Sequence, residues 1–225
     1  MKKTALIVLS AAILAIAVAL MQDTRRLTSG LFFDRTVDSS DVSRQLMQHG
    51  LQDMTLGVID APNTIVEYAS MTCVHCARFH KDVFPRLMEH IEKGKVRYVF
   101  RDFPLDATAT VVAMLLRCTE KENFFPLLAA LFETQEVWAS AQEQQAGIRL
   151  FHLFNAEGMS REQFNKCLAD KALFDKLGQA RAEASKQFDV NSTPTLFVNG
   201  QKLKNPMDIE EIEALFVLGP KHVNR

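Results

Sequence analysis

Between Thr64 and Phe100 the chain spells out a strand, a helix and a second strand, and this order restricts the possible folds more than any other feature. Residues 64–68, Thr-Ile-Val-Glu-Tyr, follow an Asp60-Ala61-Pro62-Asn63 turn and have the β-branched and aromatic content of a buried strand. Ser70-Met71-Thr72 then leads into a helix. From Cys76 onward Phe79, His80, Val83, Phe84, Leu87, Met88 and Ile91 recur at three- and four-residue steps, a continuous apolar or semi-apolar stripe that Gly94 ends. Residues 96–100 form the second strand. Two strands separated by a helix cannot close as a hairpin, so parallel pairing with a right-handed crossover is expected. Pro85 lies inside the stripe, where its missing N–H predicts a kink one to two turns after the start.

From Asp106 to about Phe188 the period becomes helical throughout, with Val111, Met114, Leu115 and Cys118 on one face and Phe164, Cys167 and Leu168 on another. Ser160 with Gln163 has the form of a capping box. Strand character returns at residues 195–198, and Asn199-Gly200 predicts a tight hairpin to a return strand at 201–203. Ile209, Ile212, Leu215 and Phe216 give a closing helix. The expected fold class is therefore α/β, with one domain made of residues 57–105 and 189–218 and a helical domain, residues 106–188, inserted into it. Residues 22–56 are polar and weakly periodic, and are read as a linker with one short helix over 42–49.

Lys2 and Lys3 precede an apolar run, residues 5–21, which Asp23, Arg25 and Arg26 follow. This is an export signal. As a helix the run measures roughly 26 Å against a hydrocarbon core of about 30 Å, so it suits either a cleaved signal peptide or an N-terminal membrane anchor. Ala15-Ile16-Ala17 and Ala17-Val18-Ala19 favour cleavage, whereas Arg25 and Arg26 favour retention. In both cases the body is exported, to the periplasm or cell envelope, where disulfides persist. Its 26 Lys and Arg nearly cancel its 27 Asp and Glu, so no nucleic-acid partner is expected.

Cys73-Val74-His75-Cys76 sits where the first strand gives way to the helix. Cys73 falls at or near the N-cap, facing unpaired backbone N–H groups and the positive end of the helix dipole. Those donors stabilise a thiolate, and His75 can add a positive charge or a further donor to the same sulfur. The spacing places Cys76 within disulfide reach, as resolving partner to an acidic, nucleophilic Cys73. Two other readings compete. A zinc site would need a second knuckle, which the singletons Cys118 and Cys167 do not supply, so no metal and no cofactor is expected. A purely structural bridge across so short a loop would add little stability.

Glu67, a carboxylate in an otherwise apolar strand, is either satisfied by partners or functional as a proton acceptor for Cys76. Ser192-Thr193-Pro194-Thr195 places a proline just before a strand, where the bond is either an ordinary trans turn or a cis bond that leaves backbone free for an extended peptide. Cys118 and Cys167 occupy apolar faces of two helices, as buried free thiols or, in an oxidising compartment, as a structural disulfide.

The stretches Glu67-Tyr68-Ala69-Ser70-Met71-Thr72-Cys73-Val74-His75-Cys76 and Phe188-Asp189-Val190-Asn191-Ser192-Thr193-Pro194-Thr195 together resemble the DsbA family of bacterial thiol:disulfide oxidoreductases, over roughly residues 55–218. Cys118 and Cys167 are similar to the pair found in its alphaproteobacterial branch. The resemblance implies a thioredoxin fold with an inserted helical domain, Cys73 as nucleophile and Cys76 as its buried partner. It also implies a cis Pro194 facing the disulfide, Thr193 offering its backbone to substrate, and Glu67 as the buried acid behind Cys76. Disulfides would pass through a mixed disulfide at Cys73 to reduced exported proteins, and a membrane quinone-linked protein of the DsbB type would reoxidise the pair. Val74 stands where the family's familiar dipeptide has proline, while His75, its charge-tuning member, is retained. A reductase or isomerase of the same fold, or a non-catalytic peptide-binding module, are the rival readings.

Overall fold

A computed structural model describes residues 51–139 and 143–217, together with Val42 and Gln45, which are helical. The export segment and most of the short helix expected at 42–49 lie outside the described residues. Five strands form one mixed sheet: β1 Met54–Leu56, β2 Asn63–Ala69, β3 Val96–Asp102, β4 Thr195–Val198 and β5 Gln201–Lys202. Their order across the sheet is β1-β3-β2-β4-β5, with β2 and β3 parallel and the other neighbours antiparallel. This is the thioredoxin arrangement, and its central strand is β2.

Because β2 has helices over both faces, its side chains alternate between two cores. Ile65 and Ala69 join the larger core, which contains Cys76, Phe79, Leu87, Tyr98 and Phe100. Val66 and Tyr68 join the smaller one, with Val99, Phe103 and Phe197. Glu67 shares the parity of Ile65, so the strand carries it beneath the helix that bears the cysteines.

Two expectations need correction. Residues 22–56 do not run as a linker to their end, because Met54, Thr55 and Leu56 pair with Phe100, Val99 and Tyr98. Leu51 and Met54 are buried, and Asp53 forms a bidentate ion pair with Arg101 at 2.7 and 2.9 Å. A strand of three residues shows no readable alternation, and its stability comes from a partner far along the chain. Gly57 ends it at φ 85°, where a Cβ would strike the Val96 carbonyl.

The second correction concerns the helix predicted to kink at Pro85. It divides into α1, Val74–Asp82, and α2, Phe84–Glu92, with Val83 between them. A proline N–H is missing at no cost in the first turn of a helix, so the helix is interrupted at Val83 and restarts with Pro85 in its first turn.

The insertion is helical: α3 Ala107–Arg117, a 3-10 turn Lys121–Asn123, α4 Phe124–Glu133, α5 Gln135–Ala139, α6 Glu143–Ala156, α7 Arg161–Leu168 and α8 Lys171–Phe188. Ser160 and Gln163 cap α7 reciprocally at 3.1 and 2.8 Å. At the hairpin, Asn199 and Gly200 take φ values of 50° and 84°, the positive pair that a two-residue turn of this twist requires. The closing helix α9 is Ile209–Ala214.

Candidate active site

The turn that carries the cysteine pair is held from three sides. Its own backbone closes it, the Cys73 N–H donating to the Ser70 carbonyl at 3.0 Å. The Thr72 hydroxyl donates to Asp106 at 2.6 Å, and the other oxygen of Asp106 caps α3 by accepting from Ala109 N–H at 2.7 Å. Buried Gln135, from α5, donates through Nε2 to the carbonyls of Met71 and Cys73 at 2.8 and 3.1 Å. The inserted helices thus fix the entrance to α1, and Cys73 is the N-cap of that helix.

Cys73 and Cys76 are unlinked here, and Cys76 is fully buried. The Cys73 thiol donates to the Thr193 carbonyl at 3.2 Å, and Thr193 precedes Pro194 through a cis bond. The hydroxyl of Thr193 is buried with no partner. These contacts bring the two ends of the α/β domain together, with Thr193 and Pro194 beside the cysteine pair.

The two sulfurs hold protons very unequally. Cys73 is held down from the ordinary thiol range to about 5, chiefly because the Cys76 thiol donates to its sulfur. Burial opposes this, while the backbone N–H groups of Cys76 and His75 add further donors. The Thr193 carbonyl accepts only from the neutral thiol, so those donors also outweigh the contact it loses. Cys76 is pushed well up, by burial first, then by its bond to Cys73 and by the charge of Glu67. One proton serves the pair, and it resides on Cys76.

His75 was expected to bring a charge or a donor to Cys73. Its ring is exposed and makes no hydrogen bond among the described residues, so what it supplies is its main-chain N–H. In the first turn of a helix the N–H groups converge on the N-cap while the side chains splay outward.

Glu67 is completely buried. One carboxylate oxygen accepts from the Tyr98 hydroxyl and lies 3.1 Å from His80 Nε2, while Oε1 has no partner. Burial and the Glu67 charge raise the Tyr98 phenol well above its ordinary value. The His80 ring lies between Phe132 and Phe84, with centroids at 4.3 and 4.7 Å.

His80, Tyr98 and Gln135 escaped the reading of the sequence. For His80 a signal existed: it stands four residues after Cys76, on the same face of α1, which is not where a helix places an exposed histidine. Cys118 and Cys167 are joined by a disulfide that ties the end of α3 to α7, away from the turn.

A family model described as Thioredoxin matches residues 50–216. A putative protein-disulfide oxidoreductase of Rickettsia bellii is 31% identical over 155 residues, which cover 68% of this chain and 59% of that relative. Disulfide bond formation protein D of Bacillus subtilis is 27% identical over 163 residues, 70% of this chain and 72% of its own length. The crystal structure of Wolbachia pipientis alpha-DsbA1 superposes with a TM-score of 0.68 at 29% identity, covering 77% of this chain and 96% of that one. The chain spans less than two thirds of the length of the rickettsial relatives.

Proposed function

This chain belongs to the thioredoxin family, in the branch that contains the DsbA proteins, and from that premise we propose that it donates a disulfide to reduced exported proteins. The observation that carries this reading is the divided protonation of the pair, Cys73 at about 5 and Cys76 raised. Thiol–disulfide exchange favours the better leaving group, and acidity makes a thiol a better leaving group. Each pH unit by which Cys73 is acidified is worth about 1.4 kcal/mol, or about 30 mV of oxidising potential. A reductase of the same fold keeps its nucleophile closer to an ordinary thiol, and a binding module would have no use for the bias.

In the reaction a substrate thiolate attacks Cys73 Sγ, and the Cys73–Cys76 bond breaks with its electron pair passing to Cys76. A second substrate thiolate then attacks the substrate sulfur of the mixed disulfide, and Cys73 departs as a thiolate. Thr193 and Pro194, beside Cys73, would align the incoming peptide. A quinone-linked membrane protein of the DsbB type would restore the disulfide. The periplasm is the compartment that suits both the basic-then-apolar N-terminus and the Cys118–Cys167 bridge, whether residues 1–21 are cleaved or kept as a tether.

The test uses the disulfide form of the protein and a reduced peptide with two cysteines. Cys76→Ala, charged as an activated mixed disulfide at Cys73, should hand that sulfur to the peptide, and Cys73→Ser should be inert. Wild-type protein that leaves the peptide reduced overturns the reading.

A further inference from the structure

Resting on the disulfide-donor reading, we propose that His80 is a positioning residue that carries the proton exchanged by Cys76, passing it between Glu67 and the groove beside α1. Cys76 must take up a proton each time the disulfide opens and give one back each time it forms. It is fully buried, so that proton needs a route. Glu67 lies within the electrostatic reach of Cys76, and its Oε1 is a buried oxygen without a partner. Its other oxygen touches two groups, and they differ in access. Tyr98 is fully buried on β3. The His80 side chain is 6% exposed, and it lines a groove of about 850 Å³ that exposed Val74, His75 and Arg78 also line.

His80 is built to do one thing. Phe84 and Phe132 sandwich the ring, which fixes its plane and directs Nε2 to the carboxylate at 3.1 Å. One helical turn separates it from Cys76, so both face Glu67 from the same side of α1. The charged and titratable groups around it are Glu67 and Tyr98 from the sheet, His75, Arg78, Lys81 and Asp82 from α1, Glu133 from α4 and Glu136 from α5.

The step balances as follows. When the substrate thiolate opens the disulfide, the electron pair of the broken bond stays on Cys76, and Cys76 takes one proton across the Glu67 carboxyl. His80 Nε2 supplies that proton through the Glu67 carboxylate, and the imidazole regains one from water in the groove. Across the whole reaction two substrate thiols lose two electrons and two protons. The protein disulfide accepts the electrons, Cys76 keeps one proton, and solvent receives the other.

The test measures how fast dithiothreitol opens the Cys73–Cys76 disulfide of the full chain, by rapid quenching with an alkylating reagent over a range of pH. H80F keeps the aromatic stack and H80Q keeps a hydrogen bond to Glu67, but neither relays a proton. Both should be about 100-fold slower, the low end of what positioned acid–base groups contribute. Both should recover rate in proportion to added imidazole buffer, to which the wild type is indifferent. If H80F does not fold, H80Q gives the same reading. Wild-type rates in both variants, or slow rates that buffer does not restore, overturn the relay and leave the function standing. A wild-type disulfide that opens no faster than oxidised glutathione overturns the function and the relay with it.

Discussion

Removing the Cys118–Cys167 bridge should cost the protein stability without touching its chemistry. The two cysteines are 49 residues apart in sequence. In the loop-closure model a cross-link over about 50 residues removes some 14 cal/mol/K from the unfolded chain, which is about 4 kcal/mol at 25 °C. Cys118 is exposed at the C-cap of α3 and Cys167 is 3% exposed on α7, so Cys118→Ser with Cys167→Ala introduces no buried hydroxyl. With a denaturant slope of about 2 kcal/mol per molar urea, the unfolding midpoint should fall by about 2 M. Equilibrium urea unfolding of the oxidised double variant beside wild type measures this, with dithiothreitol opening of Cys73–Cys76 as the activity control. A loss below about 1 kcal/mol would refute the loop-closure reasoning. An undiminished stability with slowed exchange would mean that the bridge takes part in the redox chemistry.

Asp53→Ala leaves Arg101, 1% exposed, without its bidentate carboxylate, and thermal unfolding should report a loss of about 3–5 kcal/mol. Asp106→Ala removes both the α3 cap and the anchor of Thr72, so it should lose about 1–2 kcal/mol and also slow peptide oxidation, whereas a cap alone would affect only stability. Stability of the reduced protein should depend on pH in a defined direction. Cys73 titrates lower when folded, so its thiolate stabilises the fold fully above about pH 8.5, the ordinary thiol value, and the effect is lost as pH falls through about 5. Cys76, raised by burial, works against the reduced form only above that window. The melting temperature of the reduced form should therefore climb between about pH 5 and 8.5 relative to the disulfide form, and parallel curves would contradict the assignment.

What the sequence disclosed, and what it concealed, follows the range of the interactions. The β2-α1 junction, the capping box at Ser160 and the turn at Asn199-Gly200 are set by neighbours within a few residues, and they are legible in order. β1 is not, because Met54, Thr55 and Leu56 are a strand only by virtue of β3, more than forty residues on. Glu67 shows both sides of the problem. A carboxylate in an apolar strand is conspicuous, yet its partners His80 and Tyr98 come from a helix and another strand, which satisfy one oxygen and leave the other bare. His80 itself was absorbed into the stripe of α1 because a histidine stacked on two phenylalanines has the spacing of a core residue. The clamp from Gln135 crosses from the insertion to the turn, and nothing local announces it.

The most direct test is the titration of Cys73 in the reduced protein, followed by thiolate absorbance or by the pH dependence of its alkylation, with Cys76→Ala as a control. That control removes the largest donor to the sulfur, so its midpoint should lie above the wild-type value. The wild type should titrate near pH 5. A midpoint near the ordinary thiol value would mean that the sulfur has no bias toward the thiolate, and no basis would remain for an oxidising pair.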